Sequence, residues 1–159
     1  MRCAHQHRER MDALHRTLDE LAKYASAYKI QLGLENRPAH EITNFAEIGE
    51  ILGWYPDDVI GYWHGTGHAQ VQANLGFTPL ADWLRAYASR IIGMHLHDAR
   101  GVTNHHAPGS GNVAWCVLAP LAPSNVLRVL EVDHTVSPGA VRKGIAYLRK
   151  SRWIETDER

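Results

Sequence analysis

The sequence predicts an α/β protein built from about four parallel βα units. Three observations carry that expectation. Four short apolar runs of strand character alternate with segments whose apolar residues recur at helical spacing. Each run ends on a polar tip: Glu35, then His64 to His68, then His95, His97 and Asp98, then Glu131. In parallel sheets the groups that do chemistry sit just past the carboxyl ends of the strands, so four such tips on one rim point to a site.

The elements follow in order. Residues 1–10 are basic and His-rich without periodicity and read as an irregular lead-in. Leu14, Leu18, Leu21, Ala22 and Ala25 place an amphipathic helix within residues 11–29. Ile30 to Pro38 alternates and forms the first strand. Thr43 or Asn44 caps the next helix, Glu47 completing a capping box if the cap is Asn44. Phe45, Ile48, Ile51 and Leu52 form its buried stripe. Val59 to His64 is the second strand, and it runs into the turn Gly65-Thr66-Gly67-His68. Thr78-Pro79 opens a helix carrying Leu80, Trp83, Leu84 and Tyr87.

The third strand starts at Ile91 and ends in His95, His97 and Asp98. His95 and His97 are two apart, so on a strand they share a face. A long polar loop, 98–111, follows, and its length marks it as functional. Val126 to Val132 is the fourth strand, and Ser137-Pro138 starts a last helix with Val141, Ile145 and Leu148. Residues 151–159 read as a loose tail, and the whole chain, 1–159, as one domain.

Composition narrows the function classes. Lys plus Arg and Asp plus Glu balance at 17 each, which argues against a nucleic-acid partner. Histidine is enriched, at 11, and clusters at His64, His68, His95, His97, His105 and His106. Cys3 and Cys116 have no zinc or disulfide spacing. No apolar leader and no bilayer-length run is present, which predicts a cytoplasmic protein with no membrane partner.

Carboxylates and imidazoles without thiolates suit Mn, Mg, Co or Zn. Glu35 and Glu131 end the first and last strands, so a curved sheet can set them facing each other across a metal. One carboxylate would take a proton from carbon while the other returns it, which isomerises a sugar through an enediolate. The same ligands can activate water for phosphodiester hydrolysis, and residue types alone do not separate the two. Arg37 and Arg100 stand beside strand tips, where each can bind a phosphate or face solvent. His105 and His106 can touch substrate or simply face solvent, and Trp115 can line the pocket or pack.

Five motifs occur in order: Leu34-Glu35-Asn36, Thr66-Gly67-His68-Ala69, Met94-His95-Leu96-His97-Asp98, Pro108 to Trp115, and Leu130-Glu131-Val132. As a set they resemble the carboxyl-terminal half of the xylose-isomerase-like TIM barrel superfamily, which holds sugar phosphate isomerases/epimerases and family 2 apurinic endonucleases. The resemblance implies a partial (β/α)8 barrel, its strands matching five to eight. It implies that Glu35, His95 and Glu131 are metal ligands and that the two glutamates double as the acid/base pair. It implies that His68 touches substrate or a second metal, and that His97 stands behind the metal rather than on it. The function it implies is a metal-dependent sugar or sugar phosphate isomerase/epimerase. The alternatives are an apurinic-endonuclease-like hydrolase and a non-catalytic binding module of the same fold.

The chain departs from the family pattern at three places. Gly65 stands where the family carries an aspartate ligand, with His64 or water as the substitute. Asn104 stands where members with the long loop carry an aspartate. A closed barrel needs eight strands and about 250 residues, so the chain reads as a fragment of a longer gene or as half of a homodimer that completes a barrel.

Overall fold

The computed structural model describes residues 2–38 and 44–155. Helix α1 (Arg2–Tyr28) leads into β1 (Leu32–Glu35), α2 (Phe45–Trp54), β2 (Ile60–Gly65) and α3 (Thr66–Asn74). Then come α4 (Leu80–Tyr87), β3 (Ile91–Leu96) and a small hairpin of β4 (Asp98–Arg100) and β5 (Thr103–His106). A short α5 (Trp115–Leu118), β6 (Leu127–Leu130) and α6 (Pro138–Lys150) complete the chain. Strands β1, β2, β3 and β6 form one parallel sheet in that order. The α/β class and the four parallel units are as expected from sequence.

Local chemistry accounts for the helix starts. Asn44 caps α2: its side chain accepts from the Glu47 N–H at 3.1 Å, and its own N–H donates to the Glu47 carboxylate at 3.2 Å. The alternative cap, Thr43, lies outside the described residues. Ser137 caps α6 through the Ala140 N–H, with Pro138 at the first helical position.

Three boundaries differ from expectation. The first helix starts at Arg2, so residues 2–10 are helical rather than irregular. Arg10 forms an ion pair with the buried carboxylate of Glu47, and Met11 is in the core, so the lead-in is held by contacts that periodicity does not report. The polar segment after Asp98 contains the β4–β5 hairpin. The tail is not loose at its start: Trp153 is 1 % exposed and its indole N–H donates to the Trp115 carbonyl at 2.7 Å.

One face of the sheet packs on the helices through Ile48, Ile51, Ile60, Tyr62, Trp83, Leu84, Met94 and Leu96. The opposite face carries the strand-tip groups. There the Trp63 indole lies where any side chain at Gly93 would be, and its ring meets His95 at 5.2 Å between centroids. Leu127 and Val129 pair in register with Gly93 and His95 and so share their face. They are 62 % and 37 % exposed.

His64 belongs to the helix side. It shares a strand face with Tyr62, whose hydroxyl lies 2.8 Å from its Nδ1, and its Nε2 is buried without a partner. Burial, with the nearby His68 adding to it, pushes its pKa from 6.5 down to about 3. The folded value lies below the unfolded one, so unfolding takes up a proton at mildly acidic pH. Stability from this group is therefore full above about pH 6.5 and falls as the pH drops towards 3. The expected slope between those values is up to about 1.4 kcal/mol per pH unit. Urea unfolding of His64→Phe should show a shallower loss on acidification than the parent, and identical slopes would refute the assignment.

Candidate active site

The rim is assembled by bonds between neighbouring strand tips. Asn36 follows Glu35 and is fully buried. Its amide donates to the Gly65 carbonyl at 3.1 Å and accepts from the Gly65 N–H at 2.8 Å, locking the tip of β1 to that of β2. Thr66 locks β2 to β3: its hydroxyl donates to the His97 carbonyl at 2.7 Å and accepts from the His97 N–H at 3.0 Å. Beyond β3, the Glu131 N–H donates to the Leu96 carbonyl at 3.2 Å. Asn36 and Thr66 received no role from sequence; their signal was their place in the motifs Leu34-Glu35-Asn36 and Thr66-Gly67-His68-Ala69.

This register brings Glu35, His95 and Glu131 together, with ligand atoms within 4.8 Å of one another. His95 Nδ1 stands between the carboxylates, 2.9 Å from Glu35 Oε1 and 3.3 Å from Glu131 Oε2. Burial raises the Glu35 pKa, but hydrogen bonds from His68 and His95 outweigh it, and the carboxyl ends below its ordinary value of 4.5. Glu131 Oε2 is buried, with His95 Nδ1 and His105 Nε2 each 3.3 Å from it.

A second cluster, His68, His97 and His105, borders the first, again within 4.8 Å. His68 is 2 % exposed and its Nδ1 donates to the Asn36 carbonyl at 2.9 Å. His97 and His105 stack at 4.3 Å with planes 5° apart. His105 adopts φ 60°, a left-handed conformation unusual for histidine, and its Nε2 lies 3.3 Å from Glu131 Oε2. Burial lowers the His105 pKa despite the Glu131 charge.

The other expected site residues lie elsewhere. His64 sits among the helix-side groups and in neither cluster. Trp115 does not line the pocket: it is 1 % exposed and packs edge-on against Trp153. Arg100 is exposed and its guanidinium donates to the Ser110 carbonyl at 2.6 Å, outside both clusters. His106 bonds Thr103 within the hairpin.

Gly65 leaves no vacant space. A Cβ there would lie 2.6 Å from His68 Nδ1 and 3.0 Å from Glu35 Oε1. The His68 imidazole thus fills the volume that a side chain at position 65 would need.

Asp98 holds the segment beyond the hairpin. Its buried carboxylate accepts from the N–H groups of Ala99 at 2.9 Å, Gly109 at 2.8 Å and Val113 at 3.0 Å, and from the Trp115 indole at 3.0 Å. Any side chain at Gly111 would strike this carboxylate and the Ala99 carbonyl. Asp98→Ala strands four buried donors and should lose about 3–5 kcal/mol of stability in urea unfolding. Asp98→Asn, which keeps one carbonyl oxygen as acceptor, should lose less. Equal losses for the two variants would mean that the oxygen kept by asparagine holds none of the four donors.

No described helix is long and apolar enough to cross a membrane. No match is found among curated proteins. The family model described as xylose isomerase-like TIM barrel matches residues 3–151, nearly the whole chain. With its parallel βα units and its strand-tip carboxylates and imidazoles, the chain belongs to the xylose isomerase-like TIM barrel family.

Proposed function

We propose that this rim binds a divalent cation through Glu35, His95 and Glu131, and that Glu35 and Glu131 exchange a proton with a carbon beside the carbonyl of a sugar or sugar phosphate. The observation that carries the reading is the convergence of these three side chains from separate strands within 4.8 Å. The donor set fits a hard or borderline cation: two carboxylates, one imidazole and no thiolate. Glu131 Oε2 supports the fit: it is a buried carboxylate oxygen faced by imidazole nitrogens at 3.3 Å and beyond, an anionic atom that a cation would meet. When bound, the cation would polarise the carbonyl and the adjacent hydroxyl of the substrate.

The chain's own groups supply the rest. Glu35, held below its ordinary pKa, is a carboxylate at neutral pH and can accept the carbon-bound proton. Glu131, across the His95 ring nitrogen from it, can return a proton from the other side. Trp63 backs the His95 ring on one side and fixes its orientation. A phosphodiester substrate is disfavoured by the balanced charge, which offers no basic field to hold a polyanion.

Isothermal titration with Mn is the first test. The folded protein should take up about one ion, and Glu35→Gln and Glu131→Gln should each weaken uptake at least tenfold. Gly65→Asp adds a carboxylate and should tighten binding, provided that the His68 ring gives way. Solvent deuterium should enter ketoses beside the carbonyl in the presence of Mn and the parent protein, and not with either glutamine variant. A folded protein that binds no Mn overturns the reading.

A further inference from the structure

The three imidazoles of His68, His97 and His105 have the spacing of a second metal site. The hydrogen bonding around His97 rules against that use. Its Nδ1 accepts the backbone N–H of His105 at 3.0 Å, so Nδ1 carries a lone pair and no proton. A ring with an unprotonated Nδ1 is neutral and bears its single proton on the other nitrogen. That proton is on Nε2, the atom nearest the cluster. A metal at Nε2 would force the proton onto Nδ1, against the N–H of His105.

What Nε2–H faces is the Glu131 carboxylate. Nε2 of His97 is buried without a hydrogen-bond partner and lies 3.7 Å from Oε2 of Glu131, an oxygen that His95 Nδ1 and His105 Nε2 also face, each at 3.3 Å. The ring has little freedom to turn away. Any side chain at Gly67, in the first turn of α3, would strike its Nδ1 and Cε1 atoms, so helix and ring are in direct apposition. His105 covers its face, and the His105 carbonyl is held in turn by the Asp133 N–H at 2.8 Å, two residues beyond Glu131.

The geometry points to His97 as a positioning residue: a proton-locked donor that orients Glu131 Oε2, not a metal ligand. The inference deepens the proposed function, because it assigns what holds one of the two glutamates, but its central claim concerns a tautomer and stands without any metal. One of the three imidazoles of the His68, His97 and His105 group then presents a fixed N–H rather than a lone pair, which does not suit a three-imidazole cation site.

Nitrogen-15 NMR of imidazole-labelled protein tests the tautomer directly. Between about pH 5 and 8, His97 should show a protonated Nε2 and an unprotonated Nδ1, and neither signal should change type when Zn is added. A proton on Nδ1, a doubly protonated ring, or a Zn-induced loss of the Nε2 proton overturns the inference. The positioning role is read from Mn affinity in the holo protein. His97→Leu should weaken binding severalfold, and His97→Gln, which restores an N–H near the position of Nε2, should recover most of it. Equal affinities in both variants and the parent overturn the role while leaving the metal reading intact; no Mn uptake in the parent fails the metal reading and, with it, this role.

Discussion

The site depends on bonds that run from side chains of one strand tip to the backbone of the next. Parallel strands have evenly spaced backbone bonds that say little about where a strand should stop. Asn36 on the Gly65 peptide and Thr66 on the His97 peptide supply that information. A slip of one residue would reverse every side chain between the two faces of a strand. With the tips clamped, Glu35, His95 and Glu131 share one rim and cannot exchange places with Tyr62, His64 or Met94 on the helix side.

A second feature is how little of the polar rim is left to solvent. Asp98 is fully buried, yet its carboxylate accepts four hydrogen bonds, which offsets the cost of removing the charge from water. His68 is almost fully buried and satisfied by the Asn36 carbonyl. Against that background two atoms stand out. Glu131 Oε2 and His97 Nε2 face each other, and they lie where the two clusters meet.

The volume at Gly65 is not vacant, because the His68 ring occupies it. Nδ1 of that ring is committed to the Asn36 carbonyl. The neighbouring cluster holds two carboxylates and one imidazole, Glu35, Glu131 and His95.

Sequence by itself determined the class of fold and three members of the rim, Glu35, His95 and Glu131. Apolar runs and helical stripes are local, so strands ending at Glu35, His95 and Glu131 were legible, as were the Asn44 and Ser137 caps. Ordered motifs across the chain carried the family. Tertiary structure decided what each polar residue does. His64 and Gly65 are adjacent in sequence, but strand parity puts one in the helix-side core and the other on the rim. Trp115 reads equally well as wall or core until Asp98 takes its indole N–H. The same holds for Arg10, the start of α1 and Trp153, whose partners are distant in sequence. The tautomer of His97 is the clearest case: it is set by one backbone N–H eight residues away, brought back by a hairpin that periodicity does not encode.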